Sequence, residues 1–216
     1  MNRGDEKGWI TQVVAELRSA CQLPENPLRF GPVPLERFLG EHTLRLVELP
    51  RLSRAAVYDY LLAKGSIPGE LGEDEDLAGF LYITGPFGRV FVNADDPVPR
   101  RRFTAGHELG HFILHRESMG GKVSFGDSPA TVVEVEDETA VAMERQANRF
   151  AAEILMPAEV CRARAEAFRK TYRVCPRTPF AYYLAAELLV SPLAMRYRLR
   201  DLAMRNPSWD LGEADE

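Results

Sequence analysis

Apolar residues recur every three to four positions over residues 9–22 (Trp9, Ile10, Val13, Val14, Leu17, Cys21), with Glu16 and Arg18 between them. That spacing predicts an amphipathic helix, which Pro24 and Pro27 end. Pro34 stands early in a short helix over about 34–40. Residues 44–49 read as a strand and 53–64 as a helix with Ser53 at its N-cap. A Gly-rich, acidic connection runs from Gly65 to Asp76. The period then changes to two. Residues 78–84 and 89–93 predict a β-hairpin about a Gly85-Pro86-Phe87-Gly88 turn. After a loop over 95–99, Arg100-Arg101-Arg102 leads into a helix that holds Phe103 to His115. Residues 116–136 read as loops, with Val132–Val135 the best strand candidate. From Glu138 an apolar stripe runs through Ala140, Met143, Ala147, Phe150, Ala151 and Ile154 until Met156-Pro157 stops it. Further helices are expected over 158–170, 180–189 and 193–204, the last two joined by the tight Val190-Ser191-Pro192 turn.

These elements predict an α+β chain, mainly helical, with a small sheet or hairpin before the Phe103–His115 helix and a helix-turn-helix-like C-terminal region. The expected division is a helix over 1–29, a core over 30–157, a helical region over 158–206 and an acidic tail over 207–216.

Composition narrows the setting. The 216 residues carry a net charge of -5, with 45% hydrophobic and 27% charged residues, as ordinary globular chains do. Bulk charge therefore points neither to nucleic acid nor to a membrane surface. Cys21, Cys161 and Cys175 are odd in number and far apart, which speaks against a disulfide framework and for a reducing compartment. With no apolar run of transmembrane length and no signal-peptide core, a cytoplasmic protein is expected.

Candidate chemistry concentrates in His107-Glu108-Leu109-Gly110-His111, an H-E-x-x-H. Residues four apart share one helix face, so both imidazoles can reach a single metal ion. Glu108, beside the first histidine, is placed to act as general base on water at that metal. The expected cofactor is zinc, with manganese also compatible with such ligands.

A catalytic zinc site takes a third protein ligand and keeps one position open. His115 lies on the same face but ~12 Å along the axis from His107, too far to share one ion. It is expected instead to cap the helix end or to bind a backbone or carboxylate group. Glu144 falls within the apolar stripe of the 138–155 helix, where a carboxylate is costly unless paired or metal-bound. An ion pair with Arg101 or Arg145 is the alternative. Asn148, one turn on, can support a ligand by hydrogen bonding. Glu153, near the helix end, is expected to be solvated. The sheet edge beside the motif can hold an extended peptide by main-chain hydrogen bonds.

Two stretches, Arg101-Arg102-Phe103-Thr104-Ala105-Gly106-His107-Glu108-Leu109-Gly110-His111 and Glu144-Arg145-Gln146-Ala147-Asn148-Arg149-Phe150-Ala151-Ala152-Glu153-Ile154-Leu155-Met156-Pro157, resemble the ImmA/IrrE family of metallopeptidases. The likeness extends over the hairpin and, more weakly, to Gly31–Pro34 and Val190-Ser191. It implies a zincin-like core and a cytoplasmic zinc endopeptidase with His107, His111 and Glu144 as ligands and Glu108 as base. It also implies a helix-turn-helix repressor as substrate, whose cleavage derepresses stress-response or mobile-element genes. The alternative is a non-proteolytic protein with a structural metal that engages a repressor, an antitoxin or DNA. Residues 160–206, with ten Lys and Arg against three Asp and Glu, keep a nucleic-acid contact open.

Overall fold

The computed structural model describes residues 3–21, 31–66, 68, 71, 73–116, 124–127, 138–171 and 177–204. The chain forms two compact units, one of Pro34–Ala151 and one of Met1–Val33 with Ala152–Glu216.

The first unit is built on a four-stranded sheet in the order β1-β3-β2-β4: β1 Leu44–Leu49, β2 Gly79–Thr84, β3 Phe87–Asn93 and β4 Ser124–Asp127. β1 runs parallel to β3, while β2 is antiparallel to both β3 and β4. The hairpin turn is shorter than its sequence suggests. Phe87 and Gly88 already belong to β3, which leaves only Gly85-Pro86 between the strands. Gly85 has φ +59°, the left-handed conformation that a two-residue hairpin needs at its first position and that glycine adopts without steric cost.

Alternation sends the two faces of β2 and β3 to different neighbours. Phe80 stands opposite Phe91 and both are fully buried. They join Leu52, Val57, Leu61 and Leu77 in a cluster with α3 (Arg54–Ala63), which Ser53 caps by accepting from the Ala56 amide. The other face, with Gly79, meets α4 (Val98–His115), the helix that bears the H-E-x-x-H. α4 starts earlier than expected: Pro97-Val98-Pro99, which reads as loop, supplies the proline that suits a first helical turn. The short α2 (Leu35–Glu41) and α5 (Glu138–Leu155) complete the layers, α5 continuing from this unit into the second.

The hairpin does not provide a sheet edge, contrary to its expected role. Both its strands are flanked, β3 by β1 and β2 by β4. β4 itself falls in a stretch read as loop, and the strand candidate Val132–Val135 lies outside the described residues.

The second unit is helical: α1 (Arg3–Ala20), the end of α5, α6 (Ala158–Thr171), α7 (Arg177–Leu188) and α8 (Pro192–Asp201). Ile10, Val14, Ile154, Val160, Phe180, Leu184, Met195 and Leu199 form its buried interior. α7 and α8 meet through a tight turn in which Ser191 accepts from the Ala194 amide. Cys21 and Cys161 are buried, and burial pushes the Cys161 thiol up to about 12. Cys175 lies outside the described residues. Glu153 is not solvated, as its place near the helix end suggests. It is 5% exposed, and Arg198 donates to its two oxygens at 2.9 and 2.6 Å. Among the described residues, no helix is long and apolar enough to cross a membrane.

Candidate metal centre

α4 turns its motif inward. His107, Glu108 and His111 are 3%, 1% and 1% exposed, because Leu109 and Phe112 on the same helix anchor it in the core. The next helix, α5, approaches closely at one point. A Cβ on Gly110 would stand 3.1 Å from Phe150 and 3.2 Å from the Ala147 backbone. The glycine inside the motif therefore sets how near α5 can come. That proximity lets Glu144, one turn before Ala147–Asn148, reach both histidines.

The donor atoms converge. His107 Nε2 and His111 Nε2 are 2.9 Å apart, and the Glu144 oxygens lie 3.2 Å from the first and 3.1 Å from the second. Donor atoms of a tetrahedral site with bonds of about 2.0–2.1 Å stand roughly 3.3 Å from one another. Among the described residues, His107, His111 and Glu144 are the group able to hold a metal ion.

The surrounding hydrogen bonds test the fit further. Asn148 Oδ1 lies 3.2 Å from His107 Nδ1. Assigned from that contact, His107 Nδ1 carries the proton and Nε2 turns a lone pair toward His111. On the other arm, His111 Nδ1 is 3.2 Å from His115 Nδ1, and His115 Nε2 is 2.9 Å from Gln146 Oε1. Burial lowers the His115 pKa more than the Gln146 contact raises it, so its ring is neutral at neutral pH. Two imidazole nitrogens and a carboxylate facing one point are mutually repulsive unless a cation sits among them. The residues present thus fit a divalent metal, with a nitrogen-rich set that suits zinc.

Glu144 differs from expectation in one respect. Its side chain is 45% exposed rather than buried in the apolar stripe, while the His107 and His111 side chains are 4% and 1% exposed. The centre is closed on the α4 side and open on the α5 side. Burial of the Glu144 carboxylate raises its pKa, but when the two rings are protonated and no metal is bound, hydrogen bonds from His107 and His111 and their charge outweigh this and hold it well below the usual carboxylate range. The rival ion pair with Arg101 does not form, since Arg101 reaches Glu48 of β1 at 2.5 Å. His115, the last residue of α4, contacts the His111 ring and the Gln146 side-chain amide. Gln146 is the residue that sequence reasoning missed.

Glu108 is placed by the sheet. A Cβ on Gly79 of β2 would lie 2.8 Å from Glu108 Oε1 and 2.3 Å from Thr104 Cγ2, so the carboxylate occupies space that only glycine leaves. Gly79→Ala is expected to shift Glu108 by up to about an ångström. Such a shift lowers peptide hydrolysis by on the order of 10²-fold while the fold and metal content persist. Steady-state kinetics beside metal analysis checks this, and an alanine variant at full rate would show that Gly79 does not set the Glu108 position.

No curated protein matches the chain. The family model for the IrrE N-terminal-like domain matches residues 70–200, a span that takes in the hairpin, the H-E-x-x-H and the Glu144–Pro157 stretch but not Gly31–Pro34. The chain belongs to this peptidase family, M78, whose members are metallopeptidases.

Proposed function

We propose that the protein is a zinc-dependent endopeptidase that cleaves a helix-turn-helix repressor in the cytoplasm, releasing stress-response or mobile-element genes. The observation that carries this reading is the convergence of His107, His111 and Glu144 on one point, with Glu108 on the same helical turn as the two histidines.

His107 and His111 through Nε2, and Glu144 through its carboxylate, would hold the ion. When bound, it supplies Lewis acidity to the scissile carbonyl and lowers the pKa of water toward ~7. Glu108 takes the proton of the attacking water and delivers it to the departing amine nitrogen. Asn148 and His115 keep the two rings oriented. The exposed flank of Glu144 leaves the substrate a way in. β4 gives it a track: among the described residues it pairs with β2 alone, and Asp127 stands opposite Gly79, the residue that borders Glu108. An extended substrate backbone adds along that outer edge.

The test is incubation of the zinc-loaded protein with a helix-turn-helix repressor chosen because its gene adjoins the one for this protein. Cleavage is expected, lost on chelation and restored by zinc. A zinc-loaded protein that binds the repressor and leaves it intact would support the non-proteolytic reading instead.

A further inference from the structure

α5 brings more to the centre than Glu144. Gln146 and Asn148 follow it at alternate positions, and each ends one of the two hydrogen-bonded arms behind the histidines. The arm through Asn148 is direct. The arm through Gln146 has an extra ring in it, and that ring makes the arm directional.

A neutral imidazole has one N–H and one bare nitrogen, so a chain of imidazoles transmits the choice made at its end. Gln146 Oε1 can only accept, so His115 Nε2, 2.9 Å away, must donate. His115 Nδ1 is then bare and can only accept. The contact 3.2 Å on, to His111 Nδ1, therefore requires His111 to donate. The His111 proton being on Nδ1, its Nε2 is left to face Glu144 Oε1 and His107 Nε2 at 3.1 and 2.9 Å. The reverse orientation of the amide gives the opposite result. A Gln146 N–H donated to His115 Nε2 would move the His115 proton to Nδ1 and force the His111 proton onto Nε2, where it would obstruct a metal.

We propose that Gln146 is a positioning residue for the metal: its side-chain carbonyl, acting through His115, fixes the tautomer in which His111 presents Nε2 as a ligand. The inference rests on the metal-centre reading given above. It makes α5 the source of one ligand and of both groups that orient the other two.

The variants are Gln146→Leu, which is one bond shorter and loses the acceptor, and Gln146→Glu, whose carboxylate also only accepts. Zinc dissociation constants are measured on the full chain by competition with a chromophoric chelator. Gln146→Leu is expected to bind zinc roughly 10–100-fold more weakly, the usual range for groups that orient a metal's ligands, and Gln146→Glu within a few fold of wild type. Nitrogen-15 NMR of the imidazoles, with and without zinc, supplies a reading that a packing role would not move. Wild type is expected to show the His115 proton on Nε2 and the His111 proton on Nδ1, and Gln146→Leu a mixture at His115. Equal zinc affinity in all three proteins, or a wild-type His115 protonated on Nδ1, would overturn the proposal. A wild type that binds no zinc would instead overturn the metal reading, and the tautomers would still decide whether Gln146 directs the arm. Should Gln146→Leu fail to fold, the wild-type tautomers and Gln146→Glu remain decisive.

Discussion

Glu108→Gln is expected to slow peptide hydrolysis by roughly 10²–10⁴-fold while the metal stays bound, the range for loss of a positioned general base. The carboxylate and the amide have nearly the same shape, so the buried pocket bounded by Gly79 and Thr104 accepts either. What changes is that an amide cannot take the proton of the attacking water. The ligand triangle of His107, His111 and Glu144 does not include position 108 and keeps its geometry. The prediction is therefore a split: rate lost, metal content and melting temperature kept. It is checked on the metal-loaded protein with a peptide or protein substrate that the wild type cleaves. Undiminished hydrolysis would remove Glu108 from the mechanism, and loss of the metal along with the rate would point to a role in building the centre.

The largest stability effect is expected at residues outside the metal centre. The Arg198 and Glu153 side chains are 2% and 7% exposed. The guanidinium donates to both carboxylate oxygens and, at 2.8 Å, to the Met156 carbonyl at the end of α5. Besides Arg198, the Thr11 hydroxyl of α1 donates to Glu153 Oε1 at 3.4 Å. Arg198→Met leaves the carboxylate buried with that one weak donor and is expected to destabilise the protein by about 3–5 kcal/mol. Pairing it with Glu153→Leu removes the stranded charge, and most of the loss should return. Urea unfolding of the single and double variants measures both. A single variant within 1 kcal/mol of wild type would mean that water or another cation reaches Glu153 as readily as Arg198 does.

Much of this architecture could be read from spacing. The H-E-x-x-H helix announced itself through a shared face, and α5 through an uninterrupted stripe and the proline that ends it. β1 and the hairpin strands were legible because their alternation is regular. What escaped depends on partners remote in sequence. Ser124-Phe125-Gly126-Asp127 has too few residues and too little alternation to read as a strand, and it becomes one by pairing with β2. Glu153 looked solvated because its partner lies 45 positions away in a helix whose arginines all look alike. Gln146 drew no notice beside Glu144, since an amide carries no charge whose burial demands an explanation. Glu144 was identified for its place in the stripe, yet its side chain is half in solvent. The stripe located the helix face, while the short approach at Gly110 is what brings the residue to the histidines.

That approach also ties the ion to the folding equilibrium. The two histidines and Glu144 belong to separate helices, and the three donors come within reach of one another only where Gly110 lets α4 and α5 touch. An unfolded chain offers no such set. A cation selective for the folded state acts as a reversible cross-link between residues 107–111 and 144. At a hundred times its dissociation constant it adds about 2.7 kcal/mol to the native state. The apo chain would be the looser, more protease-sensitive form, so that supply of the metal governs how long the protein survives as well as whether it can act.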